Sequence, residues 1–208
     1  FDDHAIGLHT QSSNATRVSA VWAEYDYKDS SNARMDACPV IILDFEDGIS
    51  EFIGQTNASS SGTVARDTAH PVCGSAALKI THASGGRSYA NLGTYSSYAS
   101  NDTDAFMNFW IHIESLPSSG YMDICGFGST ATGRTNALEV GSDGSMRLTS
   151  NGTTYSVAPA GTIAAGHSYY ICFRILLRSA TSATDGLVMV YVDDSLVYQN
   201  LAIDNGAS

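Results

Sequence analysis

The chain has 208 residues, a length that one all-β domain commonly reaches, so a single core is enough to account for it. Apolar residues make up 43 % of the chain, but its longest apolar candidates, residues 169–177 and 187–192, are shorter than the ~18 residues that span a bilayer, so no membrane insertion is expected. Ten basic and 21 acidic side chains give a net charge of -11, which repels phosphate backbones and argues against a nucleic acid partner.

Glycines and the turn-forming pairs Asn-Gly and Asp-Gly occur at short intervals along the chain. No helix-length stretch has apolar residues spaced three and four positions apart. This pattern predicts strands and turns. Residues 18–27 predict a first strand, and the polar residues 28–36 predict a linker. We therefore expect an N-terminal extension, residues 1–39, with one strand and the linker, followed by a main domain, residues 40–208.

The main domain is predicted to contain short antiparallel strands joined by tight turns. Glycines at both ends of residues 141–144 and the Asn-Gly pair at 151–152 favour hairpins, because glycine accepts a positive φ. The predicted strands comprise residues 40–48, 76–81, 105–114, 121–127, 137–140, 145–149, 169–178, 187–192 and 195–198.

Period-two alternation divides the two longest of these strands between a core face and an outer face. In residues 105–114 the predicted core set is Met107, Phe109, Ile111 and Ile113, and the outer set is Phe106, Asn108, Trp110, His112 and Glu114. In residues 169–178 the predicted core set is Tyr169, Ile171, Phe173, Ile175 and Leu177, and the outer set is Tyr170, Cys172, Arg174 and Arg178.

Short motifs follow one another in an order that resembles a known family. They include Asp-Phe-Glu-Asp-Gly at 44–48, Phe-Trp-Ile-His-Ile at 109–113, Ser-Asp-Gly-Ser-Met-Arg-Leu at 142–148 and Val-Tyr-Val-Asp-Asp-Ser-Leu-Val at 190–197. From about residue 40 to 200 the chain resembles concanavalin A-like lectin, glucanase and laminin-G-like modules. The resemblance implies an all-β, antiparallel, two-sheet jelly-roll sandwich, and it implies the fold more than the function.

Glucanases of this family carry two glutamates and an aspartate at alternating positions of one strand, so that all three project into the groove. Here Asp44 and Glu46 fill two such positions, but the preceding position on that face is Ile42. We therefore expect no enzyme and assign no catalytic residue. The enzymatic alternatives are a glycosidase and a polysaccharide lyase, in which His112 would work with a tyrosine across the strands.

The outer residues of 105–114 favour glycan binding, because an indole stacks on a pyranose while polar neighbours bond its hydroxyls. In the alternative, the strand around Trp22 covers Trp110, and this face is a second small core. The candidate carbohydrate-binding residues are Asn108, Trp110, His112, Glu114, Tyr95, Tyr98 and Arg174.

Acidic pairs at both ends of the main domain favour a structural calcium ion. Glu46 and Asp47 lie near its start and Asp193 and Asp194 near its end, and the first and last strands of a jelly roll often adjoin. Calcium takes about six to eight oxygen ligands. The double aspartate, where the family usually has Asp-Gly, also resembles calcium-binding carbohydrate modules of the galactose-binding type. The alternative is a turn in which aspartate bonds the local backbone.

Four widely spaced cysteines without a C-x-x-C pair favour two disulfides over a zinc or redox site, and the alternative is four buried thiols. The pairs we favour, because they join segments that adjoin in a jelly roll, are Cys38 with Cys73 and Cys125 with Cys172. Asn-x-Ser/Thr sequons, which are either glycan sites or polar turns, occur at Asn14, Asn57, Asn101 and Asn151.

Together these features predict a non-catalytic extracellular module, on a cell surface or virion surface, that recognises a glycan or polysaccharide. A composition low in charge and rich in Ser, Thr, Gly and Tyr is typical of such a β-rich surface. The structural alternative is a subunit of a virion, fibre or filament that self-assembles when residues 17–27 pair with the sheet edge of a neighbouring copy. The same strand also fits pairing within its own chain.

Overall fold

The structure is a computed structural model that describes residues 5–10, 15–25, 40–43, 57–58, 62–71, 74–82, 88–94, 104–128, 136–176 and 183–203. These residues form fifteen β-strands, and among them there is no helix that could cross a membrane. Every strand pair in this part of the chain is antiparallel. The prediction of an all-β antiparallel protein is confirmed.

The strands are short, and they follow one another along the whole chain. They are β1 (Ala5–Thr10), β2 (Ala15–Tyr25), β3 (Val40–Leu43), β4 (Asn57–Ala58), β5 (Gly62–Asp67), β6 (Ala77–His82), β7 (Ser88–Thr94), β8 (Asp104–Ile113), β9 (Tyr121–Gly128), β10 (Asn136–Gly141), β11 (Met146–Ser150), β12 (Thr153–Ala158), β13 (His167–Leu176), β14 (Gly186–Val192) and β15 (Ser195–Ile203).

Two sheets share one buried core. The seven-stranded sheet I has the order β12-β11-β10-β9-β1-β7-β4, and the eight-stranded sheet II has the order β15-β14-β13-β8-β2-β6-β5. β6 pairs with residues 15–18 of β2, and β3 pairs with residues 21–24 of the same strand. Phe127 of sheet I meets Phe173 of sheet II with ring centroids 5.4 Å apart, so the core lies between the sheets.

The N-terminal strands pair within their own chain. β1 lies between β9 and β7 in sheet I, and β2 lies between β8 and β6 in sheet II. The strand predicted at 18–27 corresponds to β2, whereas the predicted linker at 28–36 lies outside the described residues. The segment before residue 40 thus supplies one strand to each sheet, and the division of the chain at residue 40 stays a prediction.

The core face of β8 agrees with the alternation in the sequence. The residues that are at most 1 % exposed are Met107, Phe109, Ile111 and Ile113. The half-buried residues that alternate with them on the other face are Asn108, Trp110 and His112. Complete burial of an apolar side chain of this size contributes about 1.5–3 kcal/mol, so β8 is a main source of the stability of the core.

β13 pairs with β8 over ten residues and repeats this alternation. Ile171, Phe173 and Ile175 are at most 1 % exposed, as predicted. Tyr169 is only half-buried, and its hydroxyl accepts a hydrogen bond from the N–H of Ala164 at 2.7 Å. Tyrosine suits this margin of the core because its ring is apolar and its hydroxyl has a partner.

β15 forms one edge of sheet II. It carries two exposed large apolar side chains, Leu196 at 47 % and Leu201 at 61 %. Its register with β14 shifts twice, once in the first half of the strand and once near its end. Such irregularities bend an edge strand and interrupt its row of backbone donors and acceptors.

The hairpin between β10 and β11 turns at Gly144, which has a φ of 76°. The Gly144 N–H donates to the carbonyl of Gly141 at 3.0 Å, and the Gly144 carbonyl accepts the N–H of Ile163 at 2.9 Å. A Cβ atom at this position would lie 2.0 Å from the carbonyl oxygen of Ile163. Both the left-handed φ and the close approach of the two backbones therefore require glycine.

Gly144→Ala is expected to lower the free energy of unfolding by at least about 2 kcal/mol, because it adds left-handed strain and a backbone clash. Gly152→Ala is the matched control, since Gly152 has a φ of 79° but open space where its Cβ would lie. The control is expected to cost only about 1 kcal/mol. Urea unfolding measures both values, and equal losses would contradict the role of the contact with Ile163.

Candidate functional site

The candidate site lies on the outer face of sheet II, the face turned away from the core. Direct partners in an antiparallel pair share a face, with Cβ atoms about 4.5–5.5 Å apart. Three such pairs between β8 and β13 form what we name the outer patch: Asn108 with Cys172, Trp110 with Tyr170, and His112 with Ser168.

An aromatic pair occupies the middle of the outer patch. The ring centroids of Trp110 and Tyr170 are 5.4 Å apart, and the ring planes are inclined by 46°. Tilted contacts of this kind are favourable and restrict both rings. Both residues are half-buried, so neither is completely closed off from solvent. The pair is thus an ordered and partly exposed aromatic platform.

Tyr170 adds a hydroxyl group to this platform. Burial raises the pKa of Tyr170, and the nearby Cys172 and Asp194 raise it further. The phenol therefore stays protonated at neutral pH and can donate a hydrogen bond. Its backbone is also fixed, because the Tyr170 N–H donates to Oδ1 of Asp193 at 2.8 Å and its carbonyl accepts the Asp193 N–H at 2.9 Å.

His112 and Ser168 form the polar end of the outer patch. Nδ1 of His112 lies 3.0 Å from Oγ of Ser168, and the tautomer of the histidine decides which atom donates. Ser168 is exposed and His112 is half-buried. A bound hydroxyl group can therefore find a donor or an acceptor beside the aromatic platform.

β2 borders the outer patch in the plane of the sheet. It pairs with β8 so that Ala20 is the partner of Trp110 and Trp22 is the partner of Asn108. Strands paired in this way lie side by side, about 4.7–4.9 Å apart. The backbone of β2 therefore lies beside β8 within sheet II, and a second small core on this face stays the alternative prediction.

The other predicted glycan-binding residues differ in their surroundings. Arg174 is half-buried on the outer face of β13, and Glu114 is exposed just beyond the end of β8. The side-chain oxygen of Asn108 is buried and has no hydrogen-bond partner within the described residues. Tyr95 and Tyr98 lie outside the described residues.

Two of the four predicted calcium ligands, Asp193 and Asp194, lie in the described part of the chain. Asp193 and Asp194 form the turn between β14 and β15, with φ of 48° and 63°. Oδ1 of Asp193 accepts the N–H of Tyr170 on β13, a contact between distant residues and not the local backbone bond of the alternative interpretation. Glu46 and Asp47 lie outside the described residues, within which no three His, Cys, Asp or Glu could hold a metal. Calcium stays a prediction.

The two aspartates of this turn are expected to respond in opposite ways to glycine. Asp194→Gly should raise the free energy of unfolding by about 0.5–1 kcal/mol, because glycine adopts a left-handed φ at a lower cost. Asp193→Gly should lower it by about 1 kcal/mol, because the Tyr170 N–H loses its acceptor. Thermal unfolding distinguishes the two, and destabilisation by both variants would contradict this assignment.

The two described cysteines lie in different sheets. Cys125 of β9 is fully buried in the core with a free thiol, and burial raises its pKa. Cys172 of β13 is half-buried on the outer face of sheet II. The predicted Cys125–Cys172 disulfide is absent from the structure, because one side chain faces the core and the other faces away from it. Cys38 and Cys73 lie outside the described residues.

One predicted glycosylation site is well placed. Asn151 is exposed and forms the turn between β11 and β12 with Gly152, at φ of 44° and 79°. Asn57 belongs to β4, and Asn14 and Asn101 lie outside the described residues. Glycosylation at these four positions stays a prediction.

Sheet I carries a polar cluster on its outer face that was not predicted from the sequence. Glu139 is only 7 % exposed, and it accepts hydrogen bonds from Nε of Arg147 at 2.5 Å and from Oγ1 of Thr149 at 2.8 Å. The Arg147 guanidinium lies 3.8 Å from the centre of the Tyr121 ring. Asp123, at 1 % exposed, is the cross-strand partner of Glu139. The sequence did contain a signal for this cluster, because Glu139 and Arg147 carry opposite charges on the two strands of a predicted hairpin.

Arg147→Lys is expected to lower the free energy of unfolding by about 1–2 kcal/mol, because lysine cannot form the two-pronged contact with Glu139 or stack a planar group on Tyr121. Thr149→Val removes one hydrogen bond to the same carboxylate and should cost about 1 kcal/mol. Urea unfolding measures both. An unchanged midpoint for Arg147→Lys would show that the cluster does not join the strands.

No protein family model, curated protein or solved structure matches the chain.

Proposed function

We propose that the protein is a non-catalytic module that binds a glycan on the outer patch of sheet II. The aromatic pair of Trp110 and Tyr170 is the observation that supports this proposal most directly. A partly exposed indole offers an apolar surface to the C–H face of a pyranose ring. The polar groups of Tyr170, His112 and Ser168 lie where they can bond the hydroxyls at the rim of that ring.

The connectivity we propose for the two sheets is a jelly roll of the concanavalin or laminin-G kind. The order of the motifs between residues 40 and 200 supports it, as do the antiparallel pairs on either side of one core. β6 and β8 lie in sheet II whereas β7 and β9 lie in sheet I, so these four consecutive strands cross from one sheet to the other in turn. This alternation between sheets is what a jelly-roll path requires.

An extracellular setting, on a cell surface or virion surface, belongs to the same proposal. The exposed Asn151 sequon and the low density of charged residues support it. A net charge of -11 also keeps such a surface from binding nucleic acid through general attraction.

Binding without turnover is preferred over a glycosidase because Ile42 stands where the family's glucanases have a carboxylate. The assembly alternative required an N-terminal strand that pairs with a neighbouring copy. β2 instead pairs along both sides within its own chain, with β8 on one side and with β6 and β3 on the other. The outer patch is therefore the stronger basis for a function.

A glycan array followed by calorimetric titration tests this proposal. The parent protein should bind at least one class of glycan, and Trp110→Ala should weaken that binding about tenfold or more, because tenfold corresponds to about 1.4 kcal/mol and the stacking surface is lost. Trp110→Phe, which keeps an aromatic ring, should retain most of the affinity.

Tyr121→Ala is the matched control, because it removes a half-buried aromatic residue from sheet I and leaves the outer patch intact. Circular dichroism should show that each variant is folded. The proposal fails if the parent protein binds no glycan or if Trp110→Ala binds as tightly as the parent. Release of sugar fragments from a polysaccharide would instead favour the glycosidase or lyase alternative.

A further inference from the structure

The aromatic platform of the outer patch continues towards the edge of sheet II. Tyr191 of β14 is the cross-strand partner of Cys172, and Leu196 of β15 is the partner of Tyr191. Direct partners share a face of the sheet. Tyr191 also alternates with the buried Val190 and Val192, so it lies on the face turned away from the core. Four residues on β8, β13, β14 and β15 thus form what we name the apolar stripe: Trp110, Tyr170, Tyr191 and Leu196.

The apolar stripe is longer than one sugar ring. Tyr170 and Tyr191 are diagonal neighbours on adjacent strands, about 7–8 Å apart, which is within reach of aromatic side chains. From Trp110 to Leu196 the stripe crosses three strand spacings and moves two residues along the strands, so its length is about 16 Å. A single monosaccharide cannot cover this length, whereas a short chain of sugars can.

Both residues that extend the platform are accessible to a ligand. Tyr191 is half-buried, and Leu196 is 47 % exposed. Gln199 is exposed on the same face, because its partner Met189 lies two residues before Tyr191 on β14. An apolar surface suits the C–H face of a sugar, and the amide of glutamine can donate to or accept from the hydroxyls at its rim. The edge of sheet II therefore repeats the chemistry of the platform.

The surroundings of the apolar stripe favour a ligand without charge. None of its four residues carries a formal charge, whereas the chain has a net charge of -11. Asp193 and Asp194 are exposed in the turn between β14 and β15. Burial raises the pKa of Tyr170, and the nearby Cys172 and Asp194 raise it further, so a negative field reaches the stripe. Such a field repels an anionic ligand.

The apolar stripe is narrow. Polar residues occur along both of its long sides, with His112 and Ser168 on one side and Asn108 and Gln199 on the other. A stable protein interface usually covers about 800 Å² and about 20–30 residues on each partner. Four residues in a row, with polar groups along both sides, fit a thin chain better than the surface of a second protein.

We infer that the apolar stripe binds a neutral, extended polysaccharide chain, with one sugar ring on the aromatic platform and a later ring beside Tyr191 and Leu196. A β-1,4-linked glucan has this chemistry. Its hydroxyl groups are all equatorial, so both faces of each ring present C–H groups to an aromatic side chain. The same linkage keeps the chain extended along the sheet. This inference rests on the proposed glycan-binding function and adds the substrate class and a second binding position.

A length series from cellobiose to cellohexaose tests this inference on the full chain. Calorimetric titration should show that cellotetraose binds about tenfold more tightly than cellobiose, because only the longer chain reaches both ends of the stripe. Cellohexaose should gain little more, since the stripe is already covered. Maltotetraose is the matched control: it has the same neutral glucose units, but its α-1,4 linkage bends the chain away from the sheet. It should bind little more tightly than maltose.

Tyr191→Ala should weaken binding of cellotetraose about fivefold and leave cellobiose unchanged, because the disaccharide stays on the platform around Trp110. Tyr191→Phe keeps the ring and should bind as the parent does. Leu196→Ser changes an exposed position, and it should weaken cellotetraose about twofold to threefold. Leu201→Ser is its matched control, because Leu201 is 61 % exposed on the same strand but lies five residues away, about 17 Å. Thermal unfolding verifies that each variant is folded.

Cellotetraose oxidised at C6, in which carboxylates replace the primary alcohols, tests the preference for a neutral ligand. It should bind at least about fivefold more weakly than cellotetraose at low salt. The difference should shrink as sodium chloride is added, because exposed charges are screened over about 10 Å at 0.1 M salt. Binding of cellotetraose should not depend on salt. Tighter binding of the oxidised chain would overturn the neutral ligand.

The possible outcomes separate this inference from the glycan-binding function. Equal affinities for cellobiose and cellotetraose, or full affinity for cellotetraose in both Tyr191→Ala and Leu196→Ser, overturn the second position and leave glycan binding in place. If the parent binds no cello-oligosaccharide, the ligand class is overturned, and the glycan array alone decides the proposed function. Sedimentation of the parent should show a monomer. A dimer that Leu196→Ser dissociates would assign the stripe to a second copy of the chain and overturn the inference.

Discussion

The ten-residue register between β8 and β13 is the constraint on which the rest of the structure depends. Side chains alternate along a strand, so a shift of either strand by one residue would bring its phenylalanine, Phe109 or Phe173, to the surface and turn its outer aromatic residue inward. Both phenylalanines are completely buried, and exposing them would cost several kcal/mol. The geometry of the outer patch is therefore fixed by the core behind it and needs no dedicated loop.

The outer faces of the two sheets differ in how their polar and aromatic residues are arranged. On sheet I, the buried carboxylate of Glu139 is satisfied by Arg147 and Thr149, so that face holds its own strands together. A buried charge is costly unless it is paired in this way. On sheet II, the aromatic residues of the outer patch, Trp110 and Tyr170, are half-buried. The first arrangement stabilises the sheet internally, and the second leaves the aromatic residues accessible in part.

The sequence predicted the elements in which local pattern and burial agree. The predicted positions of β8 and β13, and the residues predicted to face the core, agree with the structure because each strand alternates over about ten residues. β1, β4, β5, β7 and β12 were missed, since their short, polar or irregular sequences carry no such period. Pairing between distant strands was also beyond the local pattern, which is why the partnership of Arg17 with Lys79 became visible only in the structure. The same limit explains the error for Cys125 and Cys172, because alternation does not tell which sheet a strand joins.

The edge formed by β15 has a consequence for how the protein behaves in concentrated solution. Its two register shifts interrupt the backbone ladder, and Asn200 turns its side-chain oxygen back to the N–H of Ala202 at 3.0 Å. An incoming strand would therefore find a broken template at the margin where Leu196 and Leu201 are exposed. Fibril growth needs an uninterrupted ladder that repeats from chain to chain. The irregular edge is thus a poor template for polymerisation, although it exposes two leucines to water.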